Sequence, residues 1–169
     1  FQAYSTRHGL ANNQVLSIAE DASGFIWAGT LDGASRFDGF QFRNFDLSIK
    51  DSTASSNRNV VEKIRLVGQE IWAMNRLFEL FRFDRSTATF VFTGWKGKSG
   101  WKAKKDGNFP DFLLDEGRNC IWMIDSKNLV KLSLTGSRPI SYSLFEDGLS
   151  NGSIVLEYKK RLWLTSDNG

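Results

Sequence analysis

A chain of 169 residues with 41% hydrophobic and 14% aromatic residues is long enough to bury a substantial core, and 14 Phe and six Trp suit stacked sheets better than helices. A net charge of +3 at pH 7 falls far short of the concentrated basic surface that nucleic-acid binding requires. One cysteine cannot close an internal disulfide, one histidine is too few for an ordinary zinc site, and no apolar run approaches the ~18 residues of a membrane helix.

Taken in order, Phe1–Ser5 reads as a short strand, expected to close a sheet built by the other end of a ring (residues 1–6 in all). Because the chain begins at Phe1 rather than Met, an upstream segment is expected to have been removed. Residues 9–45 alternate strands and tight turns. Val15, Ile18 and Ala19 fall in a first strand, and Asp21-Ala22-Ser23-Gly24 turns the chain. Phe25–Thr30 is a second strand, Asp32-Gly33 a hairpin signal, Ala34–Phe37 a third strand and Phe40–Phe45 an aromatic-polar fourth. Four antiparallel strands in about 40 residues make one propeller blade.

The unit repeats. Ile26-Trp27 returns as Ile71-Trp72, Ile121-Trp122 and Leu162-Trp163, at spacings of about 45, 50 and 41 residues. Arg36-Phe37-Asp38 returns as Arg82-Phe83-Asp84, and Gly9-Leu10-Ala11-Asn12-Asn13 as Gly148-Leu149-Ser150-Asn151-Gly152. Asp46–Asn57 is a polar connector. Residues 58–93 form a second blade, with strands expected at Val60–Val67, Glu70–Asn75, Leu77–Asp84 and Ala88–Phe92. Residues 109–145 form a third, and residues 148–169 half of a fourth. The expected fold is therefore all-β: about three and a half blades of a partial β-propeller, a piece of a larger ring of about seven blades.

Several chemistries are weighed and set aside. The four second-strand Trp residues occupy a fixed repeat position and are expected to pack between blades rather than on sugar. Asp21–Trp27 resembles the Asp-box turn of sialidases with its glycine displaced by one residue, and that turn is structural. Gly97-Lys98-Ser99 lacks the upstream glycine of a phosphate loop, since that position is Phe92. His8 is expected in a loop ahead of the first blade, and Cys120 is expected as a buried thiol on the face of Trp122. Acidic pairs such as Glu20-Asp21, Asp115-Glu116 and Glu146-Asp147 fall at strand ends, where solvated turns are expected instead of a glycosidase pair.

One segment stands apart. Gly94–Asn108, GWKGKSGWKAKKDGN, carries two Trp and five Lys and no strand periodicity. As the connector between blades two and three it is the candidate for ligand contact, the alternatives being a mobile basic loop or a contact surface for a partner domain. Trp95 and Trp101 are placed to stack on sugar rings, and Lys96, Lys98 and Lys102 to pair with carboxylate or sulfate groups.

The run GLANNQVLSIAEDASGFIWAGTLDGASRFDGFQFRNF in residues 9–45 strongly resembles the two-component regulator propeller repeat. Ala34 stands where Leu is usual, and Ala73-Met74-Asn75 and Met123-Ile124-Asp125 replace the Gly-Thr element in blades two and three. The resemblance implies the N-terminal periplasmic sensor region of a hybrid two-component histidine kinase, anchored in the inner membrane through parts beyond this segment. It also implies an oligosaccharide ligand and no catalytic role for the segment itself. The alternative is a dimerisation scaffold with ligand bound elsewhere. No cofactor, metal or nucleic-acid partner is expected. The remaining blades or a second protomer are expected to complete the ring.

Overall fold

The computed structural model describes residues 2–47, 58–96, 112–115, 118, 120–124, 128–133, 140–143, 153–158 and 161–165. The chain divides into two compact units, Phe1–Gly100 and Trp101–Gly169. Within each sheet the described strands pair antiparallel in sequence order, as the turn signals require, which gives the four-stranded blades of a partial β-propeller.

In the first unit, sheet one runs β1 (Val15–Glu20), β2 (Ile26–Thr30), β3 (Gly33–Phe37) and β4 (Phe42–Phe45). The register aligns Ala19, Trp27, Arg36 and Arg43 across the sheet, with Ser17, Gly29, Ala34 and Phe45 two positions along on the same face. Sheet two runs β5 (Val61–Val67), β6 (Glu70–Asn75), β7 (Glu79–Asp84) and β8 (Thr89–Lys96). The first strands, β1 and β5, lie side by side. At Gly29 a Cβ would come within 2.8 Å of the Val61 carbonyl oxygen and 2.6 Å of Ser17 Oγ, so glycine is what lets the two sheets approach there. Further out, Trp27 stacks on Phe45 at 5.2 Å and meets Phe83 and Phe90 of sheet two edge-on at 4.8 and 5.9 Å. These rings, with Ile64, Ile71 and Phe81, form the core. Trp27 thus packs between blades as its repeat position suggested.

Asn59 ties the sheets together at the connector. Its side chain donates to Asp32 (2.7 Å) and Asp46 (3.1 Å), and its carbonyl accepts the Gly33 N–H at 2.7 Å.

In the second unit, sheet three runs β9 (Phe112–Asp115), β10 (Cys120–Ile124), β11 (Asn128–Ser133) and β12 (Ile140–Ser143), and a hairpin joins β13 (Ser153–Tyr158) to β14 (Arg161–Thr165). Cys120, Ile121 and Met123 are sealed from solvent, and Cys120, the chain's one cysteine, forms no internal disulfide.

Three expectations are corrected. Residues 2–5 form no closing strand, and Phe1 lies outside the described residues. A 3₁₀ turn at Thr6–His8, where His8 Nδ1 accepts the Ser5 N–H at 3.0 Å, curls the segment instead. Tyr4 then packs on Phe37 and Phe42 at 4.8 and 5.6 Å. The fourth strand begins at Phe42, not Phe40, because Asp38 Oδ1 accepts the Phe40 and Gln41 N–H groups and holds them in the turn, with Phe40 95% exposed. The eighth strand continues past Thr93 to Lys96, so Gly94-Trp95-Lys96 belongs to sheet two. Gly94, at φ 81°, sits in a bulge between the Glu79–Lys96 and Phe81–Phe92 pairs, and it redirects the strand without ending it.

Candidate ligand-binding surface

Of the five residues expected to contact ligand, Trp95 and Lys96 are described; Lys98, Trp101 and Lys102 lie outside the described residues. Adjacent residues of a strand face opposite ways. Trp95 is 8% exposed and belongs to the packing of sheet two. Lys96 is exposed and reaches back to Glu79, Nζ to Oε1 at 3.2 Å. Glu79 is buried, 2% exposed, and also accepts the Asn75 side-chain N–H at 2.9 Å, with Arg58 Nε 3.6 Å away. Two cations and an amide therefore surround one carboxylate beside the last described residue of β8.

The turns between first and second strands share a device. Asp21 Oδ1 accepts the Ser23 and Phe25 N–H groups at 2.8 and 3.1 Å, and Oδ2 accepts the Trp27 indole N–H at 2.9 Å. In sheet three, Asp115 Oδ1 accepts the Arg118 N–H at 3.0 Å. Asp115 Oδ2 accepts the Trp122 indole at 3.3 Å and pairs with the Arg118 guanidinium. Burial pushes the Asp115 carboxyl up, but the hydrogen bonds from the Arg118 side chain, Trp122 and the Arg118 backbone outweigh it and hold the pKa below its ordinary value of 3.8. Both carboxylates are thus occupied in holding turns and indoles, which leaves neither placed for acid-base work on a glycosidic bond. Sheet two has no such aspartate, and the Trp72 indole N–H is buried without a partner.

A feature that the sequence did not disclose is a cleft of about 180 Å³ between the outer strands of sheets one and two, lined by Arg36, Arg43 and Arg85. In the sequence Arg36 stands out only as part of a repeated tripeptide.

Residues 9–32 match the family model for the two component regulator propeller. The match spans β1 and β2 of sheet one. Over 56 residues the chain is 36% identical to Histidine kinase P4 of Formosa agariphila, a stretch that covers 33% of this chain and 4% of that kinase. Among solved structures, the extracellular domain assigned to the hybrid two component system BT3049 of B. thetaiotaomicron superposes with a TM-score of 0.64 at 20% identity, over 85% of this chain and 20% of that one. The corresponding domain of BT4673 gives 0.65 at 20% identity, over 93% of this chain and 20% of that one. At that identity the structural likeness establishes the fold. The chain spans about a fifth of each of these domains and a far smaller share of the kinase. The matched residues include the Asp21 clamp, its Trp27 partner and the Gly29 approach to sheet two.

Proposed function

We propose that this chain is part of the extracytoplasmic, ligand-sensing region of a hybrid two-component signal-transduction protein, periplasmic in location and non-catalytic itself, with an oligosaccharide as ligand. The observation that carries the reading is the regulator propeller repeat at residues 9–32, set in a fold shared with extracellular domains of two-component systems. The identity with a histidine kinase over 56 residues points the same way. In this reading, residues 97–108 contact the glycan through Lys98, Trp101 and Lys102, while Trp95 and the Lys96–Glu79 pair anchor the segment to β8.

Calorimetric titration with a panel of neutral and acidic oligosaccharides tests it. One class binds saturably, and Trp101→Ala weakens that binding at least tenfold without lowering the unfolding temperature. Failure of every saccharide to bind refutes the ligand assignment.

A second reading, an interaction scaffold, draws on one observation. Ile18 is 65% exposed on sheet one, with Val15, Leu16 and Ile26 also exposed nearby. Exposed apolar residues grouped on neighbouring strands are a candidate contact surface. It requires concentration-dependent self-association that Ile18→Lys abolishes and saccharide leaves unchanged.

A further inference from the structure

We infer that the cleft between the outer strands of sheets one and two is an oxyanion-binding site, which takes a sulfate or carboxylate group carried by a saccharide. The proposal rests on the reading that the ligand is a glycan, and adds which group on that glycan is recognised and where.

Charge comes first. Arg36, Arg43 and Arg85 line the cleft, and the one carboxylate beside them is Asp21. Both Asp21 oxygens already accept hydrogen bonds from Ser23, Phe25 and Trp27. The cleft therefore keeps a net positive charge, and among the described residues no acidic side chain pairs with its cations.

The state of Arg36 is more telling. At the matching position of sheet two, Arg82 forms an ion pair with Glu70 at 3.2 Å. In sheet one the residue that matches Glu70 is Phe25, and the Arg36 guanidinium lies 4.5 Å from that ring, with Trp27 and Phe45 each at 5.8 Å. Its Nε is buried and makes no hydrogen bond, and among the described residues Arg36 has no ion pair. Three aromatic faces thus hold a guanidinium in place without neutralising it, which is the preorganisation that a bidentate oxyanion contact uses. Arg43 is held against the Phe45 ring at 5.3 Å, and Arg85 gives one N–H to the Gln69 carbonyl at 2.9 Å while keeping the rest of its donors.

Size decides what fits. A volume of about 180 Å³ is below the roughly 300–1,000 Å³ of sites that enclose a whole drug-sized ligand. One charged substituent fits. A second cleft of about 440 Å³ adjoins it and shares Arg43 and Ala88. Asp46 and Thr89 supply hydroxyl-binding groups there, and Phe90 an apolar ring. Asp46 disfavours a second anion in the wider cleft. The pair of clefts therefore suits one anionic group followed by a neutral, hydroxyl-rich body.

The test uses the whole chain at constant ionic strength, with glucose 6-sulfate, glucuronate, glucose and inorganic sulfate as probes, followed by calorimetry and by the indole N–H resonance of Trp27. Glucose 6-sulfate or glucuronate binds at least tenfold more tightly than glucose and shifts the Trp27 resonance. Arg43→Gln and Arg85→Gln, both at exposed residues, each weaken that binding about tenfold. Binding no tighter than that of glucose, or binding untouched in the Arg43→Gln/Arg85→Gln double variant, overturns the proposal. Inorganic sulfate binding as tightly as glucose 6-sulfate overturns the saccharide as the source of the anion. If oligosaccharides bind through Trp101 and the double variant binds them unchanged, the cleft assignment falls while the sensor reading stands. If the arginine-dependent site binds and Trp101→Ala has no effect on any saccharide, the cleft stands and the contact role of residues 97–108 falls.

Discussion

Sheets one and two follow a single backbone plan and fill three of its positions with different chemistry. Beside the second-strand Trp, sheet one supplies Asp21 as an acceptor, and sheet two supplies none and leaves the Trp72 N–H bare. At the tight turn, Gly33 adopts φ 85° and sits where a Cβ would lie 2.5 Å from the Phe45 carbonyl oxygen. Sheet two puts Phe78 there at φ 58°, braced by Asn75, whose Oδ1 accepts the Leu77 and Glu79 N–H groups at 3.0 and 2.9 Å. Across from the Trp, Arg36 rests on rings and Arg82 on a carboxylate. The repeat therefore preserves geometry more tightly than it preserves interactions. A turn that lacks its glycine is kept by side-chain hydrogen bonds, and a missing acceptor is tolerated because packing outweighs one lost hydrogen bond.

The largest test of that contrast is Asp21→Ala. It unpartners the Trp27 indole and two turn N–H groups, and at about 1–3 kcal/mol per bare buried donor it is expected to cost roughly 3 kcal/mol in urea unfolding. A loss below about 1 kcal/mol shows that the clamp is incidental. Next in size is a paired substitution. Trp27→Phe breaks an indole hydrogen bond, whereas Trp72→Phe removes an N–H that has no partner, so the first is expected to cost about 1–2 kcal/mol more than the second. Equal losses would place the whole effect in ring volume.

The smallest effect carries the comparison to sheet three. The Asp115 carboxyl is held below its ordinary 3.8, so its contribution is fully present above that value and is lost as pH falls through the lower, folded value. Thermal unfolding followed from pH 7 down to pH 2 should show a shallower acid decline for Asp115→Asn than for the parent chain. The decline will not vanish, because Asp38 and Asp84 are also lowered. Backbone N–H groups from Gln41 and Phe40 act on Asp38, and the Ser86 hydroxyl and N–H act on Asp84.

Much of the fold was legible because its signals are local. Alternating apolar residues, Asp-Gly turns and the recurring apolar-Trp pair placed the described strands to within a few residues of where they lie. The misplacements have specific causes. Gly94 reads as a strand breaker in a one-dimensional pattern, yet a positive φ inside a bulge continues the strand to Lys96. Phe78 gives no hint of a left-handed turn, since that conformation is imposed by Asn75 and by burial. The arginine cleft was illegible for a different reason. It depends on the absence of a carboxylate at Phe25, and only alignment of the two sheets in space shows that Arg36 has been left without the partner that Arg82 keeps.

Gly29 on the inner side and the Trp27, Phe45, Phe83 and Phe90 rings on the outer side also act together as a gauge. At one edge only the small Ser17 side chain and Val61 fill the space over Gly29, and aromatic rings hold the sheets apart at the other. Side-chain volume along that gradient sets the dihedral between successive sheets, and in any closed ring the dihedral determines how many sheets complete the circle. A few exchanges between small and aromatic residues at these positions would thus be enough for evolution to change the symmetry of an assembly without touching a single strand.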